Sequence, residues 1–325
     1  MQVHTKFNGE LSFQVWGAES LDEQGNPLPN AKPKQETPFK PQIITDAFFE
    51  TWLNGASQSR SDLYGYAGVG NGTVAATAAD TTISQIGTRL PLFGSTSTAV
   101  VVGNTLAQTV EYRSTQGQIT GTISEVGLFG STTGGQTMMR SLIKDSNGDS
   151  TTLTLTSMDF IYIKWRVTAT VNLSDVTGII SIGGVNYNYA LRPCYWTDSI
   201  TSIGSNVFLP VASGVNVSTY LGFNTVRAFS TQTLGTVTSQ PGGVNYNGLP
   251  FSANTYTAGS KSRKMTYKFT INEGNAPGGI GSIVVRNNNS VAGYQISFSA
   301  VTGGGAIPKD NTKEFTIGIT FSYGR

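Results

Sequence analysis

Apolar and polar residues alternate along most of this chain, and the alternation is most regular near residue 325. Between 314 and 323 the apolar side chains occupy alternate positions, namely Phe315, Ile317, Ile319, Phe321 and Tyr323. Successive side chains of a β-strand point to opposite faces of the sheet. The segment is therefore predicted to be a strand with one buried face and one solvated face.

Similar runs recur through the chain. They are rich in β-branched and aromatic residues, are interrupted by Gly, Ser and Asn, and include TAVVVGNTLAQTVEYRS (98–114), GTISEVGLFGS (121–131), TTLTLTS (151–157), FIYIKWRVTATV (160–171) and KMTYKFTIN (264–272). Short strands separated by turn residues are typical of antiparallel sandwiches and jelly rolls. We therefore predict an all-β fold built from antiparallel, jelly-roll-like sandwiches.

One segment has a helical pattern instead. In IITDAFFETWLNGA, Thr45 or Asp46 can cap the helix start, and Gly55 stands where a left-handed C-terminal cap belongs. The apolar face would consist of Phe48, Phe49, Trp52 and Leu53. We expect one short helix near residues 45–54 that covers one end of a β-structure.

The first 41 residues are predicted to form two further elements. Asn8–Gly9 lies between apolar residues and suits a tight turn, so residues 1–20 are expected to form a β-hairpin. Residues 21–41 contain five prolines and no periodicity. Such a segment favours extended geometry. It is either a surface loop or an arm that lies on a neighbouring subunit.

An internal repeat predicts two related domains. Residues 108–129 resemble the segment that begins at Lys264, with Val110–Tyr112 falling on Tyr267–Phe269. Downstream, LIKDSNGDSTTLTLT (142–156) resembles AIPKDNTKEFTIGIT (306–320) in its apolar residue, Lys-Asp turn and alternating strand. We expect one β-sandwich domain over residues 42–175 and a second over 176–325, with residue 325 ending the closing strand of the second copy.

Composition narrows the range of partners. Charged residues make up 12 % of the 325 residues and the formal net charge is +2. This balance gives no electrostatic footprint for nucleic acid or anionic lipid. No apolar stretch is long enough to span a bilayer, and the first residues lack the pattern of a signal peptide. A surface this poor in charge suits packing against other subunits. We therefore expect a homo-oligomer, without nucleic-acid or membrane partners.

The usual catalytic and metal-binding patterns are lacking. His4 and Cys194 are the sole residues of their types, so neither a histidine-based triad nor a cysteine-based metal site can be drawn. The run GYAGVGNGT lacks the glycine spacing of a dinucleotide site. KDSNGDSTT around Asp145 is better explained as a hairpin turn than as a calcium loop, and KSRK (261–264) as a solvated loop. We predict no catalytic residue, no metal site and no cofactor.

Two further possibilities stay open. Glu111 and Glu125 could converge as a glycosidase pair, because such carboxylates need no fixed spacing, although solvated strand faces explain them better. The aromatic residues Trp165, Trp196, Tyr187 and Tyr189 could form a sugar-binding platform, although core packing or subunit contact is favoured.

Three stretches resemble virion structural proteins of tailed bacteriophages, in the group of tail, collar and fibre proteins. They are PQIITDAFFETWLN with GYAGVGNGTVAATAADTTISQIG, GTISEVGLFGS with the strands up to residue 167, and AIPKDNTKEFTIGITFSYGR, where Tyr323 replaces the more usual Trp. Together they span roughly residues 41–171 and 260–325. The resemblance implies no catalytic residues.

The resemblance implies a structural component of a phage neck, collar, tail or fibre, located in the virion after synthesis in the bacterial cytoplasm. Its partners would be copies of itself and other virion proteins. One alternative is a receptor-binding module that recognises host-surface polysaccharide through the Gly-, Asn- and Tyr-rich segment 183–258. A head-decoration protein is another, and an enzyme would be established by digestion of polysaccharide or peptidoglycan.

Overall fold

Strands dominate the computed structural model, which describes residues 1–54, 60–94, 100–196, 225–248, 252–253, 256–286 and 293–325. Up to Val171 the elements are β1 (Gln2–Gly17), β2 (Gln35–Ile44), α1 (Asp46–Asn54), α2 (Arg60–Tyr64), β3 (Tyr66–Gly70), β4 (Gln85–Pro91), β5 (Val100–Val102), β6 (Thr105–Arg113), β7 (Gly121–Ile123), β8 (Glu125–Phe129), β9 (Thr137–Leu142), β10 (Leu153–Leu155) and β11 (Asp159–Val171). The remaining strands are β12 (Val176–Ile182), β13 (Val185–Cys194), β14 (Thr225–Phe229), β15 (Asn245–Asn247), β16 (Ser252–Ala253), β17 (Ser262–Phe269), β18 (Ser282–Arg286), β19 (Gly293–Ala300) and β20 (Phe315–Gly324). The predicted all-β class is confirmed.

The described strands form one large sheet, a second sheet and a small ribbon. The large sheet has twelve strands, in the order β16-β17-β20-β1-β2-β9-β8-β3-β4, with β11, β6 and β5 continuing from the other edge of β1. The second has six strands, in the order β12-β13-β19-β18-β14-β15, and β7 pairs with β10. Among these strands every pairing is antiparallel except that of β1 with β20.

The predicted hairpin at Asn8–Gly9 is wrong, because β1 runs unbroken from Gln2 to Gly17. Neither residue takes the positive φ that a tight turn requires. Burial alternates straight through the pair from Val3 to Leu11, so the apolar periodicity prevails over the local turn signal. Gly9 serves packing instead, because a Cβ there would collide with the side chain of Gln42.

Residues 21–41, predicted to be a loop or an arm, do not form one separate element. Its last residues belong to β2, where Gln35 pairs with Val15 and Gln42 with Gly9. Its first part is a turn in which the Asp22 carboxylate accepts hydrogen bonds from the amides of Gln24 and Asn26. The turn lies on its own chain, because the carbonyl of Gly25 accepts hydrogen bonds from Tyr162 and Arg113. The strand pairing tolerates Pro38 because this residue lies between Thr37 and Lys40, where the β1–β2 register shifts.

The internal repeat corresponds to a repeated topology. In the first half β6 pairs with β11 while β8 pairs with β9. In the second half β17 pairs with β20 while β18 pairs with β19. The flanking strands also correspond, since β3 and β4 follow β8 in the sheet order as β14 and β15 follow β18. The predicted match of 108–129 to the later segment therefore holds at the level of strands.

The downstream half of the sequence match is displaced by one strand. The Lys-Asp turns do correspond, since Ile143 hydrogen-bonds to Ser124 before β8 and Ile307 bridges to Ile280 before β18. The topological counterpart of β20, however, is β11 and not the short β10, which pairs with β7. Both strands alternate in the same way, so the pattern alone cannot separate them.

The two halves share a sheet. The predicted boundary at 175/176 lies between the last strand of the large sheet's first half and the first strand of the six-stranded sheet. Nevertheless β1 pairs with β11 along one edge, and on the other edge its first residues pair with the end of β20. A continuous apolar core then includes residues of both halves. Within the second half, ring contacts join the layers, since Phe298 on β19 lies 6.4 Å from Phe315 on β20.

The predicted helix is confirmed as α1, and it closes the region where β1 and β20 meet. Phe7 of β1 contacts the helix residue Trp52 edge to face, with ring centroids 5.2 Å apart. Trp52 also lies 4.5 Å from Tyr323 of β20. Since Phe7 and Phe49 are fully buried, this aromatic cluster excludes water from the junction of the N-terminal strand, the helix and the C-terminal strand.

Candidate functional site

The strongest cluster of charges among the described residues is buried beside β8 and β9. Arg140 on β9 donates hydrogen bonds to the Glu125 carboxylate from Nε at 2.8 Å, and its Nη2 lies 2.7 Å from the same oxygen, Oε2. Its Nη1 donates to Asp80 at 2.6 Å. In the register of β8 and β9, Gly127 lies opposite Arg140, so Arg140 is a diagonal neighbour of Glu125 on the same face.

This cluster fixes the loop over residues 71–84. The second oxygen of Glu125 accepts hydrogen bonds from the amides of Gly72, at 3.0 Å, and Ser84, at 2.6 Å. Arg140 also donates to the carbonyl of Val74. A Cβ at Gly72 would collide with the Glu125 carboxylate, so glycine is required at this close approach. The alternating glycines of GYAGVGNGT thus belong to strand β3 and to this contact.

The charges of the cluster are tightly held. Burial, the largest single influence on Asp80, favours its neutral form, but hydrogen bonds from Thr77 and Arg140 outweigh it and hold the pKa of that carboxyl below its usual value. The side chain of Glu125 has no exposed area and is surrounded by donors on both oxygens. A carboxylate so occupied is a structural counter-ion and is poorly suited to transfer protons to a substrate.

Glu111 is held apart from Glu125 in a different set of contacts. It lies on β6, where it forms an ion pair with Arg113 and faces Lys164 of β11 at 3.9 Å. Glu125 lies on β8 and is paired with Arg140. The two carboxylates that could have formed a glycosidase pair are thus paired with different cations, Glu111 with Arg113 and Glu125 with Arg140.

The aromatic residues proposed as a sugar platform are core residues. Trp165, Tyr187 and Trp196 are buried, and Tyr189 packs against the core while partly exposed. Trp165 lies 4.6 Å from Tyr64, centroid to centroid. Much of the segment 183–258 that would carry such a platform lies outside the described residues. In the described part, these side chains contribute to packing and present little ring surface to a ligand.

The remaining singled-out residues have structural contacts. Lys261 pairs with Asp46 at 2.9 Å, and Arg263 donates to the carbonyl of Leu53, so the KSRK segment fastens β17 to α1 instead of forming a solvated loop. His4 Nδ1 lies 3.1 Å from the Ser322 hydroxyl. Burial raises the pKa of the Cys194 thiol.

The Asp145 segment is a turn. The Asp145 carboxylate accepts hydrogen bonds from the amides of Asn147, at 2.9 Å, and Asp149, at 3.0 Å, and a bridge joins Lys144 to Ser150. Asp145 and Asp149 are therefore joined by the hydrogen bonds that form the turn. Across the described ranges, no group of three or more His, Cys, Asp or Glu side chains could hold a metal ion.

Among the grooves on the described surface, two lie beside residues of interest. One, of about 340 Å³, includes Asn8, Glu10, Gln42 and Arg325, but Glu10 is already paired with Arg166 at 2.7 Å. The other, of about 630 Å³, lies between the β12–β13 hairpin and the first half of β20. It is lined largely by apolar side chains and backbone.

Sequence reasoning missed the feature beside this second groove. β12 is an edge strand, and its central residue Ile179 is 63 % exposed. In the first half of the repeat the counterpart of β12 is β1, which pairs with the closing strand β11. In the second half the closing strand β20 pairs with β1 instead of β12. The outer edge of β12 is left unpaired by the described strands.

None of the helices in the described ranges has the length and apolar character needed to span a bilayer. Comparison with protein-family models, with curated proteins and with solved structures finds no match to the chain.

Proposed function

We propose that the chain is a non-enzymatic structural subunit of a tailed-bacteriophage particle, located in the neck, collar, tail or fibre and assembled through contacts between subunits. The observation that carries this proposal is the use of its side chains. The side chains that could take part in chemistry, above all Glu125, Arg140 and Asp80, hold loops and strands in place. The surface meanwhile presents apolar side chains on β12 and β13.

The three stretches that resemble virion proteins occupy mechanically important positions. PQIITDAFFETWLN covers the end of β2 and helix α1, and GTISEVGLFGS contains Glu125 and the buried strand β8. The closing stretch forms β20, which joins β17 to β1. These contacts support a role as a stiff building block, in which burial of apolar surface at the joints would stabilise the assembly.

Particle analysis tests this proposal. Particles purified from the host that produces this chain are analysed by mass spectrometry, and a tagged copy of the chain is located by electron microscopy. We expect stoichiometric amounts of the chain in the particle and a label on the neck, collar, tail or fibre. Absence of the chain from purified particles would overturn the proposal, and a label on the head would favour the decoration protein.

The polysaccharide-binding alternative is tested separately on the full chain. Binding to a glycan array or to host cells would favour it, and the burial of Trp165, Tyr187 and Trp196 weighs against it. We expect no glycan binding above that of a chain carrying Tyr189→Ala, whose ring is the partly exposed one of the set.

A further inference from the structure

The outer edge of β12 has a regular backbone with unused hydrogen-bonding groups. The β12–β13 hairpin turns at Gly183 and Gly184, whose φ angles of 59° and 81° suit a two-residue turn. Ile182 and Val185 flank the turn and form its hydrogen-bonded pair, so alternate residues of β12 point their amides to β13. The amides and carbonyls of Thr177, Ile179 and Ser181 therefore point outward.

This edge lacks the features that protect other edges of the fold. β4, of the same length, contains Arg89 and Pro91 and has a register shift against β3. The strands at the other ends of the two large sheets, β5, β15 and β16, and both strands of the β7–β10 ribbon have three residues or fewer. β12 pairs with β13 over seven residues without a register shift, and no charged residue occurs between Val176 and Leu191. Unprotected apolar edges of this kind readily pair with another strand.

The sequence of β12 is complementary to itself in antiparallel pairing. With Ile179 opposite its own copy on a twofold axis, the exposed face would place Thr177 opposite Ser181. On the other face the small Gly178 would lie opposite Ile180, and Val176 opposite Ile182. No like charges meet, because the nearest charge, Asp175, is already paired with Arg192 at 2.6 Å. The pairing would form about six backbone hydrogen bonds.

We propose that β12 pairs antiparallel with β12 of a second copy of this chain, joining two six-stranded sheets into one continuous sheet. The proposal rests on the proposed role as an assembling subunit and names the surface through which two copies meet. A second copy is preferred over a foreign strand because β12 is complementary to itself. In that pairing Ile179, the most exposed apolar side chain of β12, lies on the twofold axis and is buried against its own copy.

Cysteine cross-linking tests both the pairing and its register. In the proposed dimer the two Ile179 positions form a hydrogen-bonded pair with Cα atoms about 5.5 Å apart, within disulfide range. We therefore expect full-length Ile179→Cys to form a disulfide-linked dimer under mild oxidation. Thr177→Cys lies opposite Ser181 and should not link to itself. Val74→Cys, at a site that is 72 % exposed compared with 63 % for Ile179, is the matched control. The native Cys194 is buried.

A backbone variant tests the same edge without cross-linking. Ile179→Pro removes an outward amide and leaves the β13 ladder intact, so sedimentation should show a dimer for the native chain and a monomer for the variant. Ile179→Lys should also be monomeric, and Val74→Lys dimeric, with circular dichroism confirming that each variant is folded. Equal cross-linking of Ile179→Cys and Thr177→Cys, or a monomeric native chain at every attainable concentration, would overturn the proposal. Particle incorporation of a monomeric chain would leave the structural role intact while refuting this interface.

Discussion

The buried charge cluster gives the sharpest test of how this fold is held together. Substituting Arg140→Met removes the cation from Glu125, whose side chain is completely buried, and from Asp80, and it frees the carbonyl of Val74. Met retains much of the apolar length of the arginine stem, so the change isolates the loss of the guanidinium. Glu125 would keep the amides of Gly72 and Ser84 but carry an uncompensated charge.

The expected loss follows from that burial. Breaking a buried ion pair by removing one partner costs about 3–5 kcal/mol. For 325 residues, an unfolding entropy of ~2.1 cal/mol/K per residue amounts to about 0.7 kcal/mol/K. Cooperative unfolding of the whole chain should therefore show a Tm lowered by about 4–7 °C. Calorimetry and urea unfolding measure both quantities.

A surface pair provides the matched control. Arg192 pairs with Asp175 in a bidentate arrangement, but both side chains are partly exposed. Arg192→Met should cost no more than about 1 kcal/mol because solvent screens such pairs. The double variant Glu125→Gln/Arg140→Met has no unpaired carboxylate at position 125. Its loss in the free energy of unfolding should therefore be smaller than the sum of the losses in the two single variants. An Arg140→Met loss equal to that of Arg192→Met, or strict additivity in the cycle, would refute the reasoning.

Three further predictions concern the core, the glycine contact and pH. Phe7→Ala should lower the free energy of unfolding by about 3–5 kcal/mol, because Phe7 is fully buried against α1, whereas Phe93→Ala at a 43 % exposed site should cost much less in the same urea titration. Gly72→Ala should destabilise the chain because the new methyl group would displace the Glu125 carboxylate, whereas Gly305→Ala, with open space around it, should melt like the native protein. For Asp159, burial favours the neutral form, but hydrogen bonds from Lys34 and Thr156 hold its pKa, like that of Asp80, below the usual value. The contribution of the two carboxylates to stability is therefore present above about pH 4 and is lost as the pH falls through their lowered pKa values. The Tm should drop on acidification, and it should drop less in Asp159→Asn. A Tm independent of pH in that range would contradict this prediction.

Local pattern was sufficient to predict the most regular strands and helix α1, but the short helix α2 (Arg60–Tyr64) was not predicted. β20 (Phe315–Gly324) and β11 (Asp159–Val171) are strands because alternation extends over many residues. α1 (Asp46–Asn54) carries the predicted apolar face and begins at the predicted start, whereas Gly55, the predicted C-terminal cap, lies outside the described residues. The hairpin at Asn8–Gly9 failed because a two-residue turn signal competes with a sixteen-residue strand that gains pairing on both edges. Long-range pairing therefore decided the conformation of that dipeptide.

The site-level features depend on pairings that the sequence does not display. Glu125 was recognisable as a carboxylate in a strand, but its burial follows from Arg140 and from loop amides up to 53 residues away. The open edge of β12 arises because β20 pairs with β1, a contact between opposite ends of the chain. Neither charge spacing nor hydrophobic period encodes such a partner choice.

The position of the chain within a particle is the most direct test of the proposed structural role. Electron cryo-microscopy of purified particles, at a resolution that shows strands, would reveal whether density in the neck, collar, tail or fibre fits the twelve- and six-stranded sheets. We expect such density, repeated by the symmetry of the particle and in contact with neighbouring copies. Particles complete without any density of this fold would contradict it.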